Sequence, residues 1–231
     1  VSSRVTEVLK ASPHRIATPC PYVGACTGCD WQHISYKHQL VLKHQAVENE
    51  IRSIPELLTA TIQPTIPSPQ IFNYRNHARF SVWSKGAVGY VNRMTRRFIS
   101  VDQCLLMDDG INRTLNELQN KCGETTQLSI RYGTNSGKWL VQPTLHDRDI
   151  PLKTGQTHYE ETLLGHSFRI AASSFFQVNT RQAERIVSLV GERLKLSGSE
   201  LLIDAYAGVG TFAVLLSPYA RKVLAIEESA S

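Results

Sequence analysis

The stretch from residue 201 to residue 212, LLIDAYAGVGTF, constrains the fold of this chain more than any other. An apolar run reaches an acid at Asp204, and two glycines follow at Gly208 and Gly210. The next residues, TFAVLL, have the pattern of a helix, and a second apolar run, KVLAI, ends in Glu227. Strand, glycine turn, helix and strand in this order predict the nucleotide-binding half of a doubly wound α/β sheet.

Two classes of cofactor use such a unit. Residues 208–213 fit the GxGxxA form of the dinucleotide fingerprint, in which Glu227 would bind ribose hydroxyls. In that fingerprint the strand runs straight into the first glycine, because the pyrophosphate must meet the helix N-terminus. Here Asp204 and three further residues intervene, and an acid suits the cationic sulfonium and amino group of S-adenosylmethionine. The spacing therefore favours S-adenosylmethionine over NAD, and a glycine turn without a ligand is a further alternative.

The composition indicates an ordered protein of one large or two small domains. Of its 231 residues 42% are hydrophobic and 19% charged, which is enough apolar content for a core. The net charge of +5 weakly favours a polyanionic partner. The sequence has no apolar run of transmembrane length and no signal peptide, so we expect a cytoplasmic protein without membrane contact. In that compartment five cysteines are expected as ligands or thiols and not as disulfides.

Both ends of the sequence predict a piece of a longer protein. Residues 4–9 have the pattern of a strand with no preceding strand to pair with. At the other end, the two strands predicted around the glycine turn are too few for an independent sheet. We therefore expect further strands in the parent protein.

Three cysteines lie close together near the N-terminus: Cys20, Cys26 and Cys29. Gly24 and Gly28 would let the loop curl so that the three thiolates converge. Zinc and 4Fe-4S sites both need four ligands. The candidates for the fourth are His33, Cys104 and Cys122. Because the spacing lacks the paired knuckles of a zinc ribbon, it favours an iron–sulfur cluster, with zinc or unrelated thiols as alternatives.

The middle of the chain predicts a helix followed by an antiparallel α+β region. Residues 36–54 have helical periodicity, with an apolar side that would pack the cysteine loop onto a core. Prolines between residues 55 and 69 indicate a linker. Strands are predicted at residues 78–82, 87–91, 98–101, 128–132 and 138–142, with a hairpin turn at 133–137 and a helix at 109–120.

Basic residues recur within this central region: Arg75, Arg79, Arg93, Arg96 and Arg97, together with His77. They would form a basic surface that suits RNA. A solvated hairpin tip without a partner is the alternative.

The segment before the glycine turn predicts a capped helix. Asn179 is placed to cap it, with Gln182 in the reciprocal position of a capping box. Gln177 is polar between apolar neighbours, and it is a candidate for a ligand contact or for a turn.

Several motifs occur here in one order: the cysteine loop, YRNHARF at residues 74–80, the stretch from Gly89 to Leu106, SFFQVN at residues 174–179 and DAYAGVGT at residues 204–211. Together they resemble the RNA uracil-5-methyltransferase family, in the iron–sulfur branch that acts on 23S ribosomal RNA. The resemblance runs from about residue 4 to the end of the chain.

The resemblance implies a fold of mixed class, α/β and α+β. It places an iron–sulfur loop and an antiparallel central α+β domain before the first half of a Rossmann-like methyltransferase domain. The implied domains are a remnant of the OB-like TRAM domain (1–12), the cysteine loop and helix (13–60), the central RNA-binding domain (61–165) and the truncated methyltransferase domain (166–231).

The resemblance also implies which residues hold the cofactors. A 4Fe-4S cluster would be bound by Cys20, Cys26, Cys29 and Cys104. S-adenosylmethionine would be contacted by Gln177, Asp204, Tyr206, Gly208, Gly210, Thr211 and Glu227. The sequence departs from the pattern of many relatives, which have a cysteine where Ala207 stands, and we expect that difference to be harmless.

The mechanism implied by the resemblance needs residues that this chain lacks. In the family a cysteine thiolate adds to uracil C6, C5 attacks the sulfonium methyl group, and a carboxylate removes the C5 proton. The family places that cysteine and that base well after the second strand, beyond residue 231. Cys122 lies far upstream and is a poor substitute. We therefore expect no catalytic residue in this polypeptide, which would act in ribosomal RNA processing only as part of its parent protein, as a monomer.

Three alternatives compete with this hypothesis. A transfer-RNA uracil-5-methyltransferase lies within the same family. An RNA-binding iron–sulfur or zinc module without catalysis would explain the missing nucleophile. An NAD-dependent oxidoreductase would explain the glycines but gives no reason for the cysteine loop.

Overall fold

The computed structural model describes residues 5–228, which form two compact units. The first unit contains the chain up to residue 67 together with residues 92–95, and the second contains residues 68–91 and the chain from residue 96 onward. Of the predicted N-terminal strand, Arg4 lies outside the described residues. Residues 5–9 form no strand, so this prediction is wrong there. None of the described residues pairs with them, and a strand requires a partner for its backbone groups.

The first unit contains a loop and one long helix, α1 (Tyr36–Arg52), followed by a single 3-10 turn (Pro55–Leu57). The predicted helix is confirmed, but its predicted packing role is not, because α1 has no buried residue and Val47 is 54% exposed. The helix holds the loop by a polar contact instead. The Gln39 side chain donates to the carbonyl oxygens of Trp31 at 3.0 Å and Ile34 at 2.9 Å.

The second unit is built around a five-stranded antiparallel sheet of order β3-β2-β1-β4-β5. Its strands are β1 (His77–Val82), β2 (Val88–Val91), β3 (Phe98–Ser100), β4 (Gln127–Tyr132) and β5 (Trp139–Gln142). The helix α2 (Asp109–Leu118) joins β3 to β4. The predicted antiparallel α+β architecture is confirmed.

The two faces of this sheet differ because side chains alternate along each strand. Ala78, Phe80 and Val82 of β1 are buried, and so are Ile111, Leu115 and Leu118 of α2. The helix covers this face so closely that a Cβ at Gly110 would lie 2.4 Å from the ring of Tyr132. The opposite face carries polar side chains, among them Arg79, Ser81 and Ser129.

A second hydrophobic core is formed mainly by elements that come after the sheet in the sequence. The sequence pattern did not predict all of them as separate elements. β6 (His158–Leu163) and β7 (His166–Ala171) form a hairpin that crosses the predicted domain boundary at residue 165. The helix α3 (Thr180–Leu194) is capped by Asn179, whose side chain accepts from the Gln182 N–H at 3.0 Å. The reciprocal half of the capping box is absent, because Gln182 Oε1 is buried without a hydrogen-bond partner in the described structure.

The predicted strand–turn–helix–strand unit is confirmed. The two strands β8 (Leu201–Asp204) and β9 (Lys222–Ala225) pair in parallel, and the helix α4 (Thr211–Leu216) connects them. Asp204 lies opposite Ala225 at the carboxyl ends of the strands. Within the range that the structure describes, no helix is long and apolar enough to cross a membrane.

Candidate functional site

The glycine turn between β8 and α4 adopts a backbone that favours glycine. Gly208 and Gly210 have φ values of +54° and +82°, in the left-handed region that costs other residues free energy. A Cβ at Gly210 would also lie 3.3 Å from Val214 Cγ2. The Gly210 N–H donates to the Ala207 carbonyl at 2.8 Å, which closes the turn. The two predicted glycines are therefore required by conformation, with or without a ligand.

Asp204 has a structural task at the end of β8. Its Oδ2 accepts a hydrogen bond from the Ala213 N–H at 3.1 Å. Ala213 is in the first turn of α4, where backbone N–H groups have no partner within the helix. The carboxylate therefore caps α4 in place of Gly210, whose side chain cannot.

The other turn residues differ in exposure. Glu227 Oε2 accepts from the Gly208 N–H at 2.6 Å, which ties the end of β9 to the turn. Tyr206 is 94% exposed, whereas Thr211 is buried. The turn therefore presents an aromatic ring and a carboxylate to solvent and keeps Thr211 against the protein.

Gln177 lies in a segment whose side chains alternate between solvent and core. Phe175 is 72% exposed, Phe176 is buried and Gln177 is exposed. The backbone of this segment is held by Asn76, which is buried at the start of β1. The Asn76 side chain donates to the Gln177 carbonyl and its backbone N–H donates to the Val178 carbonyl, both at 2.9 Å. The Gln177 side chain is thus exposed on a fixed backbone.

A fully buried carboxylate, Glu161 of β6, anchors this arrangement. It accepts from the backbone N–H groups of Thr134 at 2.8 Å and Asn135 at 3.0 Å, and from Thr180 Oγ1 at 2.8 Å. Thr180 Oγ1 accepts in turn from the Asn76 side chain at 2.9 Å. The network joins the β4–β5 turn, β6, α3 and β1, and buried polar groups of this kind must be satisfied to be stable.

One hydrophobic core supports both the Gln177 segment and the glycine turn. Its buried members include Phe176, Val187 of α3 and Leu215 of α4. Val209 and Phe212, from the glycine turn and the start of α4, pack against the same core. The structure therefore brings these two predicted parts of a cofactor site together, although they are separated by α3 and β8 in the sequence.

The predicted basic residues do not form one equivalent set. Arg93 belongs to the first unit and holds the cysteine loop. Its backbone N–H donates to Thr27 Oγ1 at 2.9 Å, its guanidinium donates to the Thr27 carbonyl at 2.5 Å, and it lies 3.5 Å from the Asp30 carboxylate. Asn92 adds a hydrogen bond of 2.6 Å to the Ala25 carbonyl.

The basic residues of the second unit have other environments. Arg79 is exposed on β1. Arg75 is half-buried, and its Nε has no hydrogen-bond partner in the described structure. Arg96 has a positive φ of +60°, and Arg97 lies just before β3.

His77 does not add to a basic surface. Burial, and then the nearby charges of Arg131, Arg79 and Arg75, lower its pKa from 6.5 to about 4. The imidazole is therefore neutral at neutral pH. Its Nε2 lies 3.0 Å from Ser129 Oγ.

The cysteine loop is closed at its base and curled at its centre. Arg15 and Ile34 form a β-bridge, and the Cys26 N–H donates to the Tyr22 carbonyl at 2.7 Å. Gly24 has a φ of +91°, as the predicted curl requires. Gly28 has an ordinary φ, and a Cβ there would lie 3.4 Å from Cys26 Sγ.

The predicted metal site is not assembled in the described part of the chain. No three His, Cys, Asp or Glu side chains of residues 5–228 are grouped so that they could hold a metal ion. Cys20, Cys26 and Cys29 lie in the first unit. Cys104 lies in the second unit, where its backbone N–H and carbonyl bond to the side chain of Asn112. The residues as placed therefore do not fit a 4Fe-4S cluster, which stays a prediction.

Sequence patterns missed the residues that hold the Gln177 segment. β6 reads HYEETL, in which polar letters indicate an exposed strand, yet Glu161 is fully buried. Asn76 lies between two basic residues and gives no sign of burial. The alternation of polar and apolar residues along β1 and β4 is the only signal that could have marked the polar sheet face.

Known proteins resemble this chain in sequence and in fold. No family model matches the chain. It is 28% identical to an uncharacterized RNA methyltransferase of Synechocystis, over 97% of this chain and 60% of that protein. It is 27% identical to one of Halalkalibacterium halodurans, over 97% of this chain and 61% of the relative. The chain thus spans about three fifths of the length of the curated relatives it matches.

The fold is that of a solved methyltransferase. The chain superposes with a TM-score of 0.72 on the Pyrococcus abyssi tRNA (uracil-54, C5)-methyltransferase, which was solved with S-adenosyl-L-homocysteine. The superposition covers 98% of this chain and 64% of that protein, at 21% identity. The mixed α/β fold predicted from the sequence is confirmed. The sequence relatives are named RNA methyltransferases and the solved structure shares the fold, so the resemblance of the chain to RNA methyltransferases is confirmed.

Proposed function

We propose that this chain is the RNA-docking and cofactor-binding part of an S-adenosylmethionine-dependent RNA uracil-5-methyltransferase. The observation that carries the proposal is the shared core beneath the Gln177 segment and the glycine turn. Support comes from the curated relatives, which are named RNA methyltransferases, and from the fold neighbour solved with S-adenosyl-L-homocysteine.

In this proposal the exposed groups around the glycine turn bind S-adenosylmethionine, which supplies an electrophilic methyl group when bound. Glu227 binds the ribose hydroxyls, and the backbone of Gly208 and Gly210 lies beside the methionine part. Tyr206, next to the glycines, and Gln177, from the segment before α3, both contact the cofactor. Asp204 and Thr211 contribute mainly by holding the turn, because Asp204 caps α4 and Thr211 is buried.

The proposed substrate is a uridine in 23S ribosomal RNA, methylated at C5. The basic residues Arg75, Arg79, Arg96 and Arg97 of the second unit would bind its phosphates, since guanidinium groups form charge-assisted hydrogen bonds to phosphate. Transfer RNA is the second candidate, because the fold neighbour is a tRNA methyltransferase.

We do not propose a nucleophile within this chain. Cys122 is fully buried, and burial raises the pKa of its thiol to about 11. The thiolate, which is the nucleophilic form, is therefore scarce and inaccessible at neutral pH. We expect the polypeptide to bind cofactor and RNA without transferring the methyl group.

The cofactor proposal is tested by calorimetric titration with S-adenosyl-L-homocysteine and, separately, with NAD. The unsubstituted chain should bind the first and not the second. Gly210→Val should weaken binding at least tenfold, because Gly210 lies in the turn and has a positive φ. Gly198→Val is the matched control, because Gly198 also has a positive φ, of +89°, but lies outside the turn. Binding of NAD alone would favour the oxidoreductase alternative.

The iron–sulfur cluster needs a separate test, because the described residues do not form a metal site. Protein purified without oxygen would be analysed for iron, sulfide and zinc, alongside Cys26→Ser and the control Cys122→Ser. A cluster predicts about four irons per chain, lost only in the Cys26 variant. Stoichiometric zinc would favour the binding-module alternative, and absence of metal would leave the cysteines as thiols.

A further inference from the structure

The polar face of the five-stranded sheet contains a cavity of which the proposed function uses only Arg79. It has a volume of about 600 Å³ and lies within the second unit. Polar side chains from three strands and from the segment before Gln177 line it: Arg79, Ser81, Gln127, Ser129, Gln142 and Ser173. Its volume is in the range of small-molecule and nucleotide sites.

The strand register arranges these side chains in two rows. Arg79 lies opposite Ser129, which lies opposite Gln142, so the three form a row across β1, β4 and β5. Ser81 lies opposite Gln127 in the second row. Directly opposite residues of an antiparallel pair have Cβ atoms about 5 Å apart. The cavity floor is therefore a regular array of donors and acceptors.

Some of these side chains are held by hydrogen bonds within the protein, and others have no hydrogen-bond partner among the described residues. Ser129 is held by His77, and the Gln142 amide donates to the Gln156 carbonyl at 2.5 Å. Within residues 5–228 the side chains of Arg79, Ser81, Gln127 and Ser173 make no hydrogen bond or ion pair. Their hydrogen-bonding capacity is available to a ligand.

The charge of the cavity favours an anion. No Asp or Glu lines it, and Arg79 contributes a guanidinium. Arg131, two residues from Ser129 on β4, is buried, and its guanidinium donates to the Ser174 carbonyl at 2.8 Å. The field of these cations is large enough to help lower the pKa of the neighbouring His77. A phosphate group would be stabilised in such a field.

The cavity lies beside the Gln177 segment. Ser173 lines the cavity, and the same segment reaches Asn76 of the sheet through the Gln177 and Val178 carbonyls. Asn76 and Arg79 are three residues apart along one extended chain, which corresponds to about 10 Å. An RNA whose uridine reaches a cofactor bound at Gln177 would therefore pass close to the cavity.

We propose that this cavity binds an unpaired, phosphate-bearing nucleotide of the RNA that neighbours the uridine presented to the cofactor. Arg79 binds the phosphate, and Gln127 and the Gln142 carbonyl oxygen read the edge of the base. Ser81 and Ser173 donate to phosphate or ribose oxygens. Specific recognition of RNA commonly uses unpaired bases whose edges are accessible to side chains. The inference rests on the proposed RNA substrate and adds a second site to it.

The test is binding of a fluorescently labelled, single-stranded RNA oligonucleotide of mixed sequence, followed by anisotropy at several salt concentrations. Ser81→Ala combined with Gln127→Ala should raise the Kd about tenfold with an unchanged salt dependence. Arg79→Gln should raise it at least tenfold and reduce the slope of log K against log salt by about one. Gln127→Glu has nearly the same shape as the native residue and should weaken binding more than the two alanines do, because its carboxylate repels the anionic nucleotide.

Arg169→Gln is the matched control, because Arg169 is an exposed arginine of β7 that does not line this cavity. It should change the Kd less than threefold. All variants would also be titrated with S-adenosyl-L-homocysteine, and each should bind it as the unsubstituted chain does. If RNA and S-adenosyl-L-homocysteine bind normally but the Gln127 variants show no loss, the cavity proposal alone is overturned. If the unsubstituted chain binds no RNA, the proposed function and this inference both fail.

Discussion

The two parts of the proposed cofactor site are held in different ways. The Gln177 segment is fixed by a buried network in which Asn76, Thr180 and Glu161 are all inaccessible to solvent. The glycine turn is fixed by two carboxylates at strand ends, Asp204 and the exposed Glu227. Hydrogen bonds in a low-dielectric interior are costly to break, whereas those at the surface exchange readily with water.

This difference has a consequence for cofactor binding. A rigid Gln177 backbone can position a ligand group without paying ordering entropy. The exposed turn can rearrange, so Glu227 can exchange its bond to the Gly208 N–H for ribose hydroxyls. Substitutions in the buried network should therefore cost more stability than substitutions at the glycine turn.

The largest effect is expected at Glu161. Glu161→Ala leaves the N–H groups of Thr134 and Asn135 and the Thr180 hydroxyl without their acceptor. We expect a loss of about 3 kcal/mol or more in the free energy of unfolding, measured by denaturant titration. Glu160→Ala on the same strand is the control, since Glu160 is exposed, and it should change the free energy by less than about 0.5 kcal/mol. Equal effects of the two changes would contradict the buried-network interpretation.

Asn76 should have the next largest effect. Asn76→Ala removes the side-chain donor to both the Gln177 carbonyl and Thr180 Oγ1, at an expected cost of about 2 kcal/mol. It should also speed amide hydrogen exchange in residues 174–179 without changing exchange in the glycine turn. Asn116→Ala, at an exposed position of α2, serves as the control. Faster hydrogen exchange in the glycine turn as well would show that the buried network also holds the turn.

His77, next to Asn76, makes the stability of the part of the protein that holds the Gln177 segment depend on pH. Its pKa is about 4 in the folded protein, below the ordinary histidine value of 6.5, so the unfolded chain binds more protons between these pH values. Stability is therefore highest above about pH 6.5 and falls as the pH is lowered toward 4. The partial exposure of the imidazole screens this effect to about 1 kcal/mol.

The free energy of unfolding, measured from pH 7 to pH 4, should fall in this way. His77→Gln should remove most of that fall. His166→Gln, on the exposed edge of the β6–β7 hairpin, should leave it in place. A fall that persists unchanged in the His77 variant would assign the pH dependence to other groups.

The smallest effect is expected at Asp204. Asp204→Asn keeps an oxygen that can accept from the Ala213 N–H but removes the charge that favours the helix N-terminus. The expected loss is about 0.5 kcal/mol by thermal unfolding. Glu192→Gln, an exposed position on α3, is the charge-matched control. A loss as large as that for Glu161 would show that the turn is supported as strongly as the Gln177 segment.

Local sequence patterns were sufficient to predict those elements whose conformation depends on their own residues. The strand ending at Asp204, the turn with Gly208 and Gly210, and the helix after them were predicted with nearly the observed bounds. Chain periodicity and positive-φ positions are properties of neighbouring residues, so they are visible in the sequence. The Asn179 cap was predictable for the same reason.

Only the tertiary structure decided the roles of the polar side chains. The sequence grouped Arg93 with Arg79, but Arg93 holds the cysteine loop and Arg79 lines a cavity. It also gave no sign that Glu161 is buried. Whether a charge binds a ligand or a backbone depends on residues distant in the chain, and periodicity carries no information about them. The sequence by itself determined the strands of the central sheet, the helices and the glycine turn, and the packing of those elements determined which polar groups are left for a ligand.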